Sequence, residues 1–324
     1  MKLQILIPQY QETDTIVKTL LDSIAIQQNV DFTEVGVIIC NDGTDIHLSE
    51  ALLNSYPFKI EYYLEPHTGV SGTRNACLSH ATADYVMFCD ADDMFFNACG
   101  LYIIMREIDS EPFDSLVSAF VEESRHPDTK EAVYVNHDMD STFVHGKVHR
   151  RKYLIDHNIR WNPSLVIHED SYFNILCQRL STNVKYCSTA FYLWKWRDNS
   201  VCRHDPKYIL KTYNNMLDSS TALVEQFLQR QRIQDAQFYS VSMIYDAYYT
   251  MNKSEWVAQE NQQYRHDTEL RFKQFFQQFE MLFQSCPDDL RSQIIIGIKN
   301  RMFEEGLLME SQTFDQWITH IRNM

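Results

Sequence analysis

Residues Tyr85 to Cys89 form a short, unbroken apolar run that gives way at once to Asp90-Ala91-Asp92-Asp93. A run without polar alternation suits a strand buried on both faces, and such strands belong to parallel sheets covered by helices. The acids then fall at the carboxyl end of the strand, where open α/β sheets place their ligands. Carboxylates spaced as Asp-x-Asp can hold a hard divalent cation and leave coordination positions for phosphate oxygens. An isolated motif of this kind is also compatible with a solvated acidic turn. The buried strand before it and the motifs around it favour the metal reading.

The first half of the chain repeats the same alternation. Leu3–Ile7 is an apolar run closed by Pro8, and Ile16, Leu20 and Ile24 recur at helical spacing over 14–28, with Thr13 or Asp14 able to cap. Val35–Cys40 and Ile60–Leu64 read as further strands, and 71–82 as a helix. This βαβ order predicts an α/β fold with a mostly parallel, Rossmann-like sheet. From about 113 to 148 the segments become shorter and β-like, at Leu116–Val121, Ala132–Val135 and Thr142–Val144. Helical stretches near 150–157 and 169–180 follow, then a strand near 184–193. Beyond Pro206 the apolar positions fall at helical spacing, as in Phe272, Phe275, Phe276 and Phe279. The boundaries expected are therefore an α/β domain over 1–205 and a helical carboxyl-terminal module over 206–324, for binding or homo-oligomerisation. Gln259, Gln262, Gln263, Gln274, Gln277 and Gln278 are expected to mark a solvated face.

A formal net charge of −15 argues against a broad nucleic-acid footprint and against general attraction to an anionic membrane. Lys147-Val148-His149-Arg150-Arg151-Lys152 is the one dense candidate for a local basic patch. The eight cysteines include no C-x-x-C pair, which fits a reduced, cytosolic protein without thiol-rich metal spacing. The apolar run at the amino terminus is too short for a signal peptide, and nothing approaches the ~20 apolar residues that span a bilayer. A cytoplasmic protein is expected, with peripheral contact at the inner face of a membrane left open.

Four further segments carry groups suited to chemistry. Asn41-Asp42-Gly43-Thr44-Asp45 closes the second strand, where a carboxylate can accept a hydrogen bond from a nucleobase N–H or simply form an Asx turn. His67-Thr68-Gly69-Val70-Ser71-Gly72-Thr73-Arg74-Asn75 is a glycine-bearing loop whose Arg74 offers a planar fork to phosphate or to carboxylates. Glu169-Asp170 follows an apolar run and suits either a helix start or a general base. Trp194-Lys195-Trp196-Arg197, continuing through Ser200 to His204, mixes aromatic and cationic groups. That composition suits a flap closing over a diphosphate, although His204 alone reads more simply as a surface residue.

The order of these segments resembles the family 2 glycosyltransferases of glycosyltransferase-A fold. The resemblance runs from Ile5-Leu6-Ile7-Pro8-Gln9-Tyr10-Gln11-Glu12 through Asn41–Asp45, Gly69-x-Ser71-x-x-Arg74-Asn75 and Asp90–Asp93. It continues through Gly146-Lys147, Arg150-Arg151, Ile159-Arg160-Trp161 and Glu169-Asp170 to Arg197 and Ser200. The helical carboxyl-terminal third lies outside it. The resemblance implies that Pro8, Tyr10 and Glu12 line a nucleotide site, that Asp42 contacts uracil, and that Arg74 stands near the diphosphate. It implies Asp90 facing the ribose or donor sugar, Asp92 binding Mn2+ or Mg2+, and Arg197 and Ser200 on the donor side. Asp170 is implied as the base for inverting transfer from a UDP-sugar to an acceptor hydroxyl, and His204 as a late metal ligand. Asp93, Glu169 and Lys147 are expected in supporting or acceptor-side positions. The implied acceptor is a glycan or polymer, such as a cell-surface polysaccharide or teichoic-acid-type chain. Two departures stand out: Asn41 replaces a common second aspartate, and His145 replaces a bulky aromatic before Gly146.

Three other readings compete. A nucleotidyltransferase requires a glycine-rich phosphate loop soon after the first strand, where this chain has Pro8-Gln9-Tyr10-Gln11-Glu12-Thr13. A non-catalytic sugar-nucleotide-binding or assembly module predicts loss of the carboxylates that are present. A nucleic-acid or protein acceptor keeps the enzyme and changes its partner, and the net charge disfavours nucleic acid.

Overall fold

The structure is a computed structural model that describes residues 1–198, 207–304 and 312–324. The chain divides into two compact units, Met1–Ser200 and Val201–Met324.

The amino-terminal unit is built on one sheet. Strands β1 (Leu3–Gln9), β2 (Val35–Asp42), β3 (Lys59–Glu65) and β4 (Tyr85–Phe88) lie in the order β3-β2-β1-β4, all parallel. Every residue of β2 and β4 is buried, as the apolar runs Val35–Cys40 and Tyr85–Phe88 require, and the polar Asn41 and Asp42 that end β2 are buried with them. The sheet continues with β8 (Lys147–Arg150), β6 (Ser115–Arg125), β9 (Val184–Trp194) and the two-residue β5 (Met94–Phe95), while β7 (Ala132–His137) pairs with β6. Of these added pairings β6 with β9 is parallel, and the others are antiparallel.

Helix α1 (Asp14–Ala25) turns Val17, Leu20, Leu21 and Ile24 onto Leu3, Ile5, Ile7, Val37, Ile39 and Met87, one alternate set of strand residues. On β4 the intervening Phe88 meets the ring edges of Trp161 and Phe173 at centroid distances of 5.2 and 5.6 Å. Phe173 belongs to α6 (Glu169–Arg179), so this aromatic contact ties a late helix to the fourth strand. Helix α3 (Gly69–His80) packs on β1 and β2. Short α2 (Glu50–Leu53), α4 (Gly100–Ser110) and α5 (Arg151–Asp156) complete the unit.

The sequence expectations differ from this at three places. Thr142–Val144 is not a strand; the strand is Lys147–Arg150, inserted between β4 and β6. The basic cluster at 147–152 is split by burial: Lys147 and His149 are 1% and 2% exposed, while Arg150 and Lys152 reach the surface. The reason is that Lys147, Val148 and His149 form a buried strand flanked by β4 and β6. Elements α2 and β5 are too short to stand out in the sequence, while α4 carries Leu101, Ile104 and Met105 at a helical spacing that the expectations did not include.

The carboxyl-terminal unit is helical throughout its described residues: α7 (Tyr208–Gln229), α8 (Ile233–Met251), α9 (Ser254–Val257), α10 (Gln262–Gln284), α11 (Asp288–Glu304) and α12 (Phe314–Asn323), with a 3-10 turn at Gln259–Asn261. Its core is aromatic. Phe272, Phe275, Phe276 and Phe279 of α10 are buried at the spacing that the sequence shows, and Trp317 of α12 meets Phe272 at 4.8 Å and Tyr248 at 5.6 Å. All six glutamines expected on a solvated face are exposed. Thr313 and Gln316 form a reciprocal capping box that starts α12.

Candidate active site

The strand order reverses between β1 and β4: β2 and β3 extend the sheet on one side of β1, while β4 opens the other. Such a switch point leaves a crevice beyond the carboxyl ends of the strands. Gln9–Glu12, Asn41–Asp42 and Asp90–Asp93 all lie at those ends.

Arg74 organises the acidic side of this crevice. Its guanidinium, 3% exposed, donates through Nη2 to Asp90 Oδ1 at 2.9 Å and through Nη1 to Glu169 Oε1 at 3.1 Å and Asp170 Oδ1 at 2.8 Å. It lies 4.4 Å from the Trp161 ring centroid, and Trp161 stacks on Phe173 at 4.1 Å. Asn75 locks this platform by donating to Trp161 O at 2.8 Å and accepting from Trp161 N at 3.0 Å. The adjacent Arg74 and Asn75 thus divide the work: one meets the carboxylates, and the other fixes the aromatic floor.

Glu169 and Asp170 begin α6, where the helix dipole favours negative charge. The preceding His168 takes a left-handed conformation, φ 64°, a backbone state uncommon for residues other than glycine. Asp170 Oδ2 accepts from Val144 N at 3.1 Å. Burial, then the neighbouring Asp170, pushes the Glu169 carboxyl up to about 8. Burial also raises Asp170, against the opposing pull of Arg74. Burial disfavours charge on Asp90 too, but Arg74 and then His145 hold it below the usual carboxylate range. A base that is raised yet still paired with a cation suits proton abstraction near neutral pH.

The other two acids differ from each other. Asp92 is partly exposed and is held by Arg197 Nη1 at 2.6 Å, while Arg197 also lies 3.6 Å from Glu12. Asp93 is buried, accepting from Tyr192 Oη at 2.6 Å and Lys195 N at 2.9 Å. Burial raises both, reinforced for Asp92 by Asp90 and for Asp93 by Asp92 and Asp90. Carboxylates crowded in this way, with a hard oxygen donor set, fit a divalent cation such as Mn2+ or Mg2+. Among the described residues, ligand atoms of Asp90, Asp93 and His145 lie within 4.8 Å of one another. Asp92 is outside that group of three. His204 and Ser200 lie outside the described residues, as does 199–204 of the expected flap.

At the end of β2, Asp42 accepts from Thr68 N at 2.7 Å and Gly69 N at 3.0 Å, fastening the start of α3 to that strand. His67 Nδ1 lies 3.0 Å from the same carboxylate, and Tyr10 stacks on His67 at 5.2 Å. Gly43, at φ +68°, cannot be replaced freely, because a Cβ there meets His67 N at 2.5 Å. Glu12 Oε2 accepts from Tyr10 N at 2.8 Å, turning the chain after Pro8.

The Asn41 departure has a physical reason. Its amide donates to Gln9 Oε1 at 2.8 Å and Ile46 O at 2.9 Å while its oxygen accepts from Thr44 N at 2.8 Å. A carboxylate supplies only the last of these. His145, the second departure, is buried in an aromatic nest, stacked 5.0 Å from both Tyr192 and Trp194. Lys147 is buried as well, donating to Phe143 O and to His145 O at 3.3 Å, and burial pulls its ammonium down to about 8. Tyr192 and His145 border Asp93, although neither stands among the site residues expected from the sequence; Tyr192 sits in an apolar stretch of β9, with no spacing to betray it.

The architecture is of the glycosyltransferase-A type. The family model "Glycosyl transferase family 2" matches residues 4–172, and the chain belongs to that family. It is 29% identical over 167 residues to the uncharacterized glycosyltransferase YwdF of Bacillus subtilis (strain 168), covering 48% of this chain and 60% of the relative. It is 28% identical over 97 residues to an uncharacterized glycosyltransferase of Rickettsia bellii (strain RML369-C), covering 30% of this chain and 14% of the relative. The chain thus spans less than two thirds of the length of either. The fold is similar to that of S. aureus TarS residues 1-349 in complex with UDP-GlcNAc, with a TM-score of 0.62, 17% identity and coverage of 94% and 92% of the two chains. No described helix is long and apolar enough to cross a membrane.

Proposed function

We propose that this chain transfers a hexose or N-acetylhexosamine from a UDP-sugar to an acceptor hydroxyl, with inversion at the anomeric carbon. The observation that carries the reading is the Arg74 junction, in which one guanidinium gathers Asp90, just beyond β4, with Glu169 and Asp170 from α6. Residues 16 and 96 positions away from Arg74 meet there, Asp90 and Asp170 respectively. A structural cap for α6 does not need a buried arginine shared with a strand-end aspartate.

In this scheme Pro8, Tyr10, Glu12 and Asp42 hold the nucleotide, and Asp90 faces the ribose or sugar. Arg74 and Arg197 stand by the diphosphate, with Ser200 on the same side. Asp92 would chiefly hold a divalent cation, Mn2+ or Mg2+, with His204 as a proposed further ligand, and that cation would supply charge neutralisation for the departing nucleoside diphosphate. Asp170 takes the proton of the acceptor hydroxyl as that oxygen attacks the anomeric carbon, and the glycosidic oxygen of the donor leaves with its electron pair on UDP. Glu169, Asp93 and Lys147 shape the ground around this base. Binding of UDP-GlcNAc by a protein of similar fold supports a UDP-sugar donor. A glycan or cell-surface polymer is the acceptor we favour, with residues 206–324 as an acceptor-binding or oligomerising module beside a catalytic domain over 1–205.

Release of UDP from UDP-glucose, UDP-galactose and UDP-N-acetylhexosamines, each with Mn2+ and with chelator, tests the reading. UDP release that requires the metal and collapses in Asp92→Asn is expected. Metal-independent donor affinity, or tighter competition by GDP or ADP than by UDP, refutes it.

A further inference from the structure

A second set of metal-ligating side chains lies outside the acidic site and shares no residue with it. Cys40 comes from β2, Glu65 ends β3 and His80 ends α3, and one ligand atom from each lies within 4.8 Å of the others. The arrangement is graded by depth. The Cys40 side chain is fully buried, whereas Glu65 and His80 keep 25% and 31% of their side-chain surface exposed. A thiol therefore forms the floor, and a carboxylate and an imidazole form the solvent-facing rim. His80 Nε2 lies 2.7 Å from Glu65 Oε1, and the His80 ring stacks on Tyr63 at 3.7 Å with an interplanar angle of 2°, which fixes the plane of the imidazole. A surface ion pair between Glu65 and His80 accounts for the rim but not for the thiol beneath it.

We propose that Cys40, Glu65 and His80 form a binding site for a borderline-soft divalent cation of the zinc class, with water in the fourth position. Thiolate, imidazole and carboxylate together are the donor mix that zinc takes and that Mg2+ and Ca2+ do not. With bonds of about 2.3 Å to sulfur and about 2.0–2.1 Å to nitrogen or oxygen, tetrahedral donors sit roughly 3.3–3.6 Å apart, so the three groups close on an ion with side-chain shifts of about 1 Å. Binding displaces the Cys40 thiol proton to solvent and leaves Glu65 ionised and His80 neutral. The ion would join the end of α3 to β2 and β3, and α3 is the helix that carries Arg74. This site stands apart from the glycosyl-transfer reading and does not depend on it.

Cobalt titration of the full chain, kept reduced, tests the proposal. One equivalent of Co2+ is expected to produce near-ultraviolet thiolate-to-cobalt absorption that zinc displaces. That band should vanish in Cys40→Ala, weaken at least about tenfold in affinity in His80→Gln, and persist in Asp92→Asn, which separates it from the acidic site. Zinc at about 100-fold excess over the wild-type dissociation constant should raise Tm by roughly 5 °C or more in wild type and by no more than about half as much in His80→Gln. If Cys40→Ala fails to fold, His80→Gln at its half-open rim position decides alone. No thiolate band in wild type, or a band of unchanged affinity in either ligand variant, overturns the proposal.

Discussion

The two units of this protein bury different things. The amino-terminal unit keeps Arg74, Asp93, Lys147 and His149 almost wholly out of water, together with Asp42 and Asp114. The helical unit buries Trp256, Trp317, Tyr248, Phe272 and Phe275, and among its described residues the one buried charged side chain is Glu269, held 2.9 Å from Arg265. A buried ionised group costs stability unless it is paired, whereas a buried aromatic stabilises by area alone. Arg74, Asp42, Asp93 and Lys147 gather toward the carboxyl ends of β2 and β4, which marks that crevice as a place where chemistry, not packing, chose the residues. His149 and Asp114, by contrast, lie toward the amino end of β4. The aromatic unit shows no comparable concentration among its described residues.

The comparison can be broken most sharply at Arg74. Arg74→Met keeps much of the bulk but strands Asp90, Glu169 and Asp170 without their shared cation, and a stability loss of about 3–5 kcal/mol is expected, with loss of transfer. Denaturant unfolding measures it; a neutral result would mean that the junction is incidental. In the helical unit a loss of similar size should need a large cavity. Trp317→Ala should cost about 3–5 kcal/mol, and this cost should not change with pH, because no titratable pair is removed. A pH-dependent cost there would erase the distinction between the units.

A smaller effect comes from His149, whose Nδ1 lies 2.9 Å from Ser115 Oγ and whose ring burial, reinforced by Lys147, lowers to about 3. The unfolded chain takes up this proton below about 6.5 and the folded chain does not until about 3. The contribution is therefore complete above the unfolded value and is lost as pH falls through that window. Unfolding at pH 6.5 and pH 5 should differ by about 2 kcal/mol from this residue. His149→Gln should flatten that slope, and an unchanged slope would assign the acid sensitivity elsewhere.

Much of this was legible in the sequence where a local pattern carries the physics. The apolar run ending in Asp90, the paired acids Glu169-Asp170 and the helical spacing of Phe272 to Phe279 each need only a few neighbours to be read. What escaped reading depends on partners far along the chain. Lys147 and His149 look like a solvated basic cluster until the strand they form is placed between β4 and β6. Tyr192 meets Asp93 across 99 positions, and nothing near Tyr192 announces it. Asn41 reads as a departure from a family pattern until its amide is seen holding Gln9 and Ile46 in place.

The central claim is that Asp170 acts as base within a crevice that other groups hold together, and Asp170→Asn tests it most directly. Asparagine keeps an oxygen for Val144 N or Arg74, and Asp90 and Glu169 still balance the guanidinium, so the melting temperature should hold. Donor affinity, measured by calorimetry with UDP-sugar and Mn2+, should stay within a few-fold of wild type, while turnover falls by about 10²–10⁴-fold. Wild-type-like turnover in Asp170→Asn would contradict the account.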